Sequence, residues 1–369
     1  MAPIKVGVIT DQTGPLSVIG LANANVARMV VGYLNAKGGL LGRHLELHLE
    51  DSATDDAVAA AKAAKLIDDD QVDVILGGIY SSTRQAIKGP AVVEGETLYI
   101  YPEQYEGQES DPLIFCTGPV PAQQVDPFIP WLMRETGAKT FYLPSADYIW
   151  PRVMNARVRE VVTANGGAIV GEEYFPLDHT DYRATVDRIT STGADVVFNT
   201  TVPPGVAPFL EQLHAAGFAG QLVCTYFEEN LLNMLPGAHV DGLYSCLDYY
   251  HAVSDPFSQR LLAQYDALYP GDAKFSGGSG SSGLYRGLQL WAAAVEEAGS
   301  LAQEDVIAAL DHAHIAEGPG GPAVMVPGQH HVRMNMYIGQ ARGGRFEVVE
   351  NLGAMDPQER LVDMQVVTA

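Results

Sequence analysis

Along the first two-thirds of the chain, short apolar runs alternate with apolar residues spaced as on a helix face. Residues 4–9 form a strand pattern, and Val26, Met29, Val30, Tyr33 and Leu34 then recur at i, i+3, i+4, i+7 and i+8. Gly38-Gly39 ends that helix, because glycine tolerates the positive φ of a helix terminus. Residues 44–49 read as the second strand, and Thr54, Asp55 and Asp56 start an alanine-rich helix to about residue 67. VDVILG (72–77) is a continuous apolar run of the buried parallel-strand type, and residues 98–101 and 114–117 extend the same sheet. A second series repeats the pattern, with strands at 140–143, 168–174, 195–199, 221–225 and 242–246. Helices at 123–136, 151–164, 182–192, 206–216 and 229–235 lie around and between them. The remainder reads as helices at 256–269, 282–298 and 302–311 and short strands at 323–326, 334–340 and 346–349. FSGGSGSSG (275–283) is a loop in which Ser281 or Ser282 caps the next helix, since Leu284, Leu288 and Trp291 begin a stripe at once. Repeated βαβ units predict an α/β protein of two similar lobes with parallel sheets.

Length and composition support that picture. With 369 residues, 47% hydrophobic and 18% charged, the chain suits two packed cores rather than one, or than disorder. No apolar run approaches the roughly 20 residues that span a bilayer, so direct membrane insertion is not expected. MAPIKVGVIT runs straight into a strand and does not read as a signal peptide. The chain is therefore expected to be cytoplasmic, or periplasmic or otherwise extracytoplasmic if a leader has been removed. A formal charge of −23 repels phosphate backbones, which argues against nucleic acid as a partner. Three dispersed cysteines, Cys116, Cys224 and Cys246, build neither a disulfide framework nor a Cys-rich metal site.

Candidate chemistry collects at the carboxyl ends of the strands, where open parallel sheets bind ligands. GIYSSTR follows 72–77, PEQYEG follows 98–101, PSADYIWPR follows 140–143, TTVPPG follows 195–199, and TYFEEN ends the strand at 221–225. Tyr, Trp, Ser, Thr and Glu among small residues suit a pocket holding a small solute between aromatic walls. Ser81, Ser82 and Thr83 open a helix: either they cap it, or its free N–H groups and the Ser81 hydroxyl receive a ligand oxygen. Tyr80, Tyr101, Tyr148 and Trp150 line the pocket or pack the hinge, and Glu103 and Glu228 accept ligand N–H groups or stand at its rim. Arg84 and Arg152 are expected in ion pairs. No nucleophile elbow, zinc motif, phosphate loop or cofactor fingerprint is present, so neither catalysis nor a cofactor is expected. His330 and His331, adjacent on a strand, point to opposite faces and do not share a metal.

VGVITDQTGPLSVIG, GGIYSSTR, YPEQYEG, SADYIWPR and GGPAVMVPGQHHVRMNMYIGQ together resemble type I periplasmic solute-binding proteins. The nearest branch contains the urea- and amide-binding transporter components and the amide sensor of amidase operons. That resemblance implies two Rossmann-like lobes joined by three hinge crossings, closing as a Venus flytrap on a ligand at the hinge. It also implies lobe 1 at 1–120 plus 249–329 and lobe 2 at 121–248 plus 330–369. Ser81 matches the serine at the ligand carbonyl, Tyr101 the tyrosine of the YP pair, Tyr148 and Trp150 the aromatics of DYxxP, and Val202 and Thr225 second-lobe wall positions. Partners would be ABC transporter membrane subunits or a regulatory protein. Glu103 departs from the small residue usual there. A carboxylate at ~4 Å from an amino acid's own carboxylate costs about 4 kcal/mol at an effective dielectric near 20. The expectation is therefore an amide, urea or related amine ligand, with a branched-chain amino acid as the alternative.

Overall fold

The computed structural model describes residues 2–278 and 280–358; residues 359–369 of the expected second lobe lie outside these, as do Met1 and Ser279. The chain opens with β1 (Ile4–Thr10), α1 (Ser17–Ala36), β2 (Leu45–Asp51), α2 (Asp56–Asp68), β3 (Val74–Gly77), α3 (Ser81–Lys88), β4 (Tyr99–Tyr101) and β5 (Ile114–Cys116). The second series is α4 (Pro121–Gln124), α5 (Phe128–Thr136), β6 (Thr140–Ala146), α6 (Ile149–Ala164), β7 (Ala168–Phe175), α7 (Arg183–Thr192), β8 (Val196–Phe198), α8 (Val206–Ala215), β9 (Gln221–Val223), α9 (Glu229–Asn233), α10 (Gly237–Val240) and β10 (Tyr244–Leu247). After it come α11 (Pro256–Leu268), α12 (Ser281–Ala298), α13 (Gln303–Leu310), β11 (His314–Ile315), β12 (Ala323–Val326), β13 (His331–Arg342) and β14 (Arg345–Met355).

The strands run in the order β2-β1-β3-β4-β5-β13-β10-β9-β8-β6-β7. Each half of that path is parallel throughout. The halves meet on β13, which is parallel to β5 at His331 and antiparallel to β10 from Tyr337 to Gln340. The expected two sheets are thus hydrogen-bonded into one path, because a single long strand serves both. In each half the helices cover sheet faces whose strands are buried: β3 (VILG) is buried along its whole length between β1 and β4.

Several elements differ from the sequence reading for local reasons. The helix expected over 123–136 divides into α4 and α5 at Pro127, which has no N–H to continue the ladder and disfavours a helical residue before it. β13 and β14 are longer than expected because they form one antiparallel hairpin. Its turn, Gly343-Gly344, has both φ values positive (56° and 79°). The cap of α12 is Gly280, not Ser281 or Ser282, whose hydroxyls are buried inside the helix start. The cap of α3 is the extended backbone of Tyr80, not Ser82 or Thr83. Both of those hydroxyls donate to Asp56 instead. Finally, α1 is long and apolar enough to cross a membrane, a property hidden in the run-by-run reading by Asn23 and Asn25. In the fold it packs against β1, β2 and α12.

Three passages of chain connect the halves, at 117–121, at 247–250 and along β13, and buried polar side chains tie them together. Arg286 of α12 donates to the Thr117 carbonyl (2.7 Å) and to Asp248 Oδ2 (2.8 Å), bridging the first two. Asp248 Oδ1 accepts the Gly278 N–H (2.8 Å). Gln123 reaches the Val332 carbonyl on β13 (2.9 Å), and Gln124 the Cys246 carbonyl (3.0 Å). The α12 start can approach only because residue 283 is glycine: a Cβ there would lie 1.8 Å from the Pro102 oxygen. Arg286 and Asp248 are both essentially inaccessible to solvent. Removing one partner strands a buried charge, so Arg286→Met is expected to lower the unfolding free energy by about 3–5 kcal/mol in urea titration. A loss under about 1 kcal/mol would show that the pair does not hold the crossings.

Candidate functional site

The carboxyl ends of β3, β6, β8 and β9 face one another across the gap between the halves, and there the structure holds a cleft of about 430 Å³, counting its mouth. Leu16 and Ile19, at the start of α1, and Ile79 form one apolar wall; Val202, Pro203 and Leu231 form the other. Tyr80, Tyr148, Trp150 and Tyr226 close the sides. They run as a chain of rings: Tyr80 to Tyr148 at 5.7 Å, Tyr148 to Trp150 at 6.2 Å, and Trp150 to Tyr226 at 5.6 Å and 88°. The Tyr80 hydroxyl crosses the gap to donate to the Pro203 carbonyl at 2.9 Å.

Polar groups in the cleft are few. The Trp150 indole N–H is buried and meets no acceptor among the described residues. No side chain caps α3, whose first turn enters the cleft at Ser81. Ser81 Oγ donates to Glu106 Oε2 (2.5 Å), and Glu106 Oε1 receives Arg84 Nη2 (2.7 Å). The hydroxyl proton is therefore committed, and Ser81 offers the cleft lone pairs rather than the donor expected from the sequence. Gln104 completes the lining, its side-chain oxygen accepting from Gln124 (2.7 Å).

Of the nine expected site residues, Tyr80, Ser81, Tyr148, Trp150 and Val202 come together here. Tyr101, Glu103, Thr225 and Glu228 do not line the cleft. The Tyr101 ring lies under the Arg84 guanidinium (5.0 Å), and its hydroxyl donates to the Ile79 carbonyl (2.6 Å), which fixes the end of β3 from behind. Glu228 is the cap of α9, accepting the N–H groups of Asn230 (2.8 Å) and Leu231 (3.0 Å). Burial pushes its carboxyl up to about 7 against those bonds. Thr225 is buried, and its carbonyl accepts from Ser245 (3.2 Å). Glu103 accepts from Asn23 at 2.9 Å through one oxygen, while the other is buried with no donor among the described residues. Arg152 pairs with Asp147 (2.8 Å), as the sequence suggested. His330 stacks on Phe115 and His331 on Tyr105, both as packing groups.

Sequence reasoning missed Leu16, Ile19, Ile79, Gln104, Pro203, Tyr226 and Leu231. Leu16 and Ile19 follow the first strand, and the rule that ligands sit beyond strand ends reaches them directly. Tyr226 adjoins Thr225 in the turn that follows β9, where the direction of each side chain is set by the turn and leaves no periodic mark in the sequence.

A family model described as "Periplasmic binding protein" matches residues 3–345, and the chain belongs to that family, with the type I fold. The Leu/Ile/Val-binding protein of Escherichia coli (strain K12) is 23% identical over 244 residues, 65% of this chain and 66% of that protein. A "Leu/Ile/Val-binding protein homolog 8" of Brucella abortus is 26% identical over 59% of this chain and 56% of its own length. The matched part thus spans just under two thirds of the E. coli relative. Among solved structures, a branched-chain amino acid transporter substrate-binding protein from Streptococcus pneumoniae, in complex with isoleucine, superimposes with a TM-score of 0.86 at 19% identity. It covers 95% of this chain and 100% of that one. A solute-binding protein of an ABC transporter from R. palustris, in complex with benzoate, gives 0.85 at 20% identity over 96% and 98%.

Burial, reinforced by the charges of Asp11, Glu228 and Asp248, holds the Glu103 carboxyl well above its ordinary value of 4.5 despite the Asn23 bond. A raised native pKa means that the folded state binds the proton more tightly. Its contribution is complete below the unfolded value and is lost as pH rises through the folded one. Glu103→Gln, which cannot ionise, is expected to gain on the wild type by up to about 1.4 kcal/mol per pH unit within that window. Thermal melts from about pH 4 to about pH 8 read this directly. A difference that stays flat across that range means that Glu103 does not titrate there.

Proposed function

We propose that this periplasmic binding protein is the receptor of an ABC importer and closes on a small, uncharged, amide-type solute. The observation that carries the reading is that, among the described residues, no charged side chain lines the cleft. An amino acid would bury its ammonium there without a counter-carboxylate, at a cost of several kcal/mol. Neither carboxylate expected at the site lines it: Glu228 is bound at the start of α9, and Glu103, held by Asn23 through one oxygen, lies outside the lining. An amide fits what remains. Its carbonyl takes the free N–H groups of the α3 start or the Trp150 indole, its N–H takes the Ser81 lone pairs, and its short apolar body lies on Ile19, Val202 and the rings. The isoleucine and benzoate held by the structural neighbours also have a small apolar body, but both are charged, and the lining here offers those charges no ionic partner among the described residues.

In this reading the described residues of the two expected lobes, 2–120 plus 249–278 and 280–329, and 121–248 plus 330–358, rotate as two units about the three crossings. Ligand favours the closed form through contacts to both, and transporter subunits outside the cytoplasm recognise that form. A binding role needs only such differential contacts, and no reaction is proposed.

Melting in the presence of acetamide, butyramide, urea, leucine and isoleucine tests the ligand class, since a ligand specific to the folded state raises stability by RT ln(1 + [L]/Kd). The amides are expected to raise the melting temperature and leucine to leave it unchanged; a shift with leucine or isoleucine alone would overturn the reading. Trp150→Phe keeps an aromatic ring, smaller than the indole, and removes the N–H, and is expected to weaken amide binding by about 1 kcal/mol or more in calorimetry.

A further inference from the structure

Toward the far end of α1 from the cleft, α1, α11 and α12 enclose a second cavity of about 700 Å³, counting its mouth. Ile19 in the cleft and Val30 in this cavity are separated along α1 by on the order of 16 Å. Val30, Leu261 and the rings of Phe257 and Tyr285 form its wall, the two rings meeting edge to face at 6.2 Å and 65°.

Three observations point to what it takes. Gln289, on the α12 side, has its amide nitrogen buried without an acceptor among the described residues. At the mouth the Arg260 guanidinium lies 5.9 Å from the Phe257 ring. Its ion pair with Glu317 is long, at 3.7 Å, between side chains 61% and 65% exposed, a contact too open to water to hold it. A second cation stands nearby, the Lys37 ammonium 4.2 Å over the ring of Tyr33, which also lines the cavity. Of the two cations Arg260 lines the cavity, together with Glu317, and Lys37 lies just outside the lining.

We infer that this cavity is a second binding site, for a small aromatic carboxylate. The ring lies against Phe257 and Tyr285. The carboxylate takes the fork of Arg260 in place of Glu317, and one of its oxygens accepts from Gln289. Lys37 adds long-range attraction at the mouth. The inference does not depend on what the cleft binds.

Fluorine NMR of 4-fluorophenylacetate with the full chain tests it. Saturable binding at millimolar concentration or below is expected, weakened at least about tenfold by Arg260→Ala and by Gln289→Leu. The neutral 4-fluorophenylacetamide should bind correspondingly worse at this site. Trp150→Ala, which opens the cleft, should leave 4-fluorophenylacetate binding unchanged. Circular dichroism and melting of each variant confirm that it folds. Absence of saturable binding at millimolar probe overturns the inference. So does binding that survives both Arg260→Ala and Gln289→Leu, and so does binding abolished by Trp150→Ala, which would move the probe into the cleft.

Discussion

The buried pairing of Arg286 with Asp248 and the Thr117 carbonyl is the constraint on which the rest of the architecture turns. Leaving this guanidinium half-paired away from water is costly, so both crossing segments are favoured where its two donors point. That fixes the start of α12 against Pro102, and with it the carboxyl end of β4. The glutamines at 123 and 124 then tie β13 and β10 to the same knot. The hinge thus holds a knot of polar bonds within its apolar packing. Directional bonds specify a single arrangement there, where greasy packing would tolerate several.

The cleft inherits its character from this arrangement. Carboxylates are numerous near the strand ends, yet each is drawn away from the cleft: Glu106 to Arg84 and Ser81, Glu228 to the α9 backbone, Glu103 to Asn23. Glu106 has a further effect, since by taking the Ser81 proton it turns a hydroxyl into an acceptor toward the ligand. Charge in the supporting layer therefore sets the hydrogen-bonding sense of an uncharged surface.

Much of the fold was legible because parallel strands buried on both faces leave continuous apolar runs, such as VDVILG, and their intervening helices keep a clean stripe. The break at Pro127 was visible in the sequence but outweighed by periodicity on either side. The shared role of β13 was not legible, since pairing between distant strands leaves no local mark. For the cleft, strand-end position located Tyr80, Ser81, Tyr148 and Trp150. The same rule could not tell Thr225 from Tyr226, nor see that Glu103 and Glu228 find partners remote or local enough to leave the cleft. Tyr101 carries the resemblance to the family yet acts from behind the wall, so a shared residue reports a shared scaffold as readily as a contact.

One bond across the cleft contains no atom of any ligand: the Tyr80 hydroxyl on the Pro203 carbonyl. It exists only while the two walls stand this close, so under the proposed closure it would add the same increment to the shut form whatever is inside. An increment common to all occupants lengthens the time each one is held without favouring any of them. Residence and discrimination are thereby assigned to different atoms. In the proposed reading, a change confined to the Tyr80 hydroxyl alters how long a solute is retained, and the contacts of Ser81, Trp150 and the rings decide which solute is held.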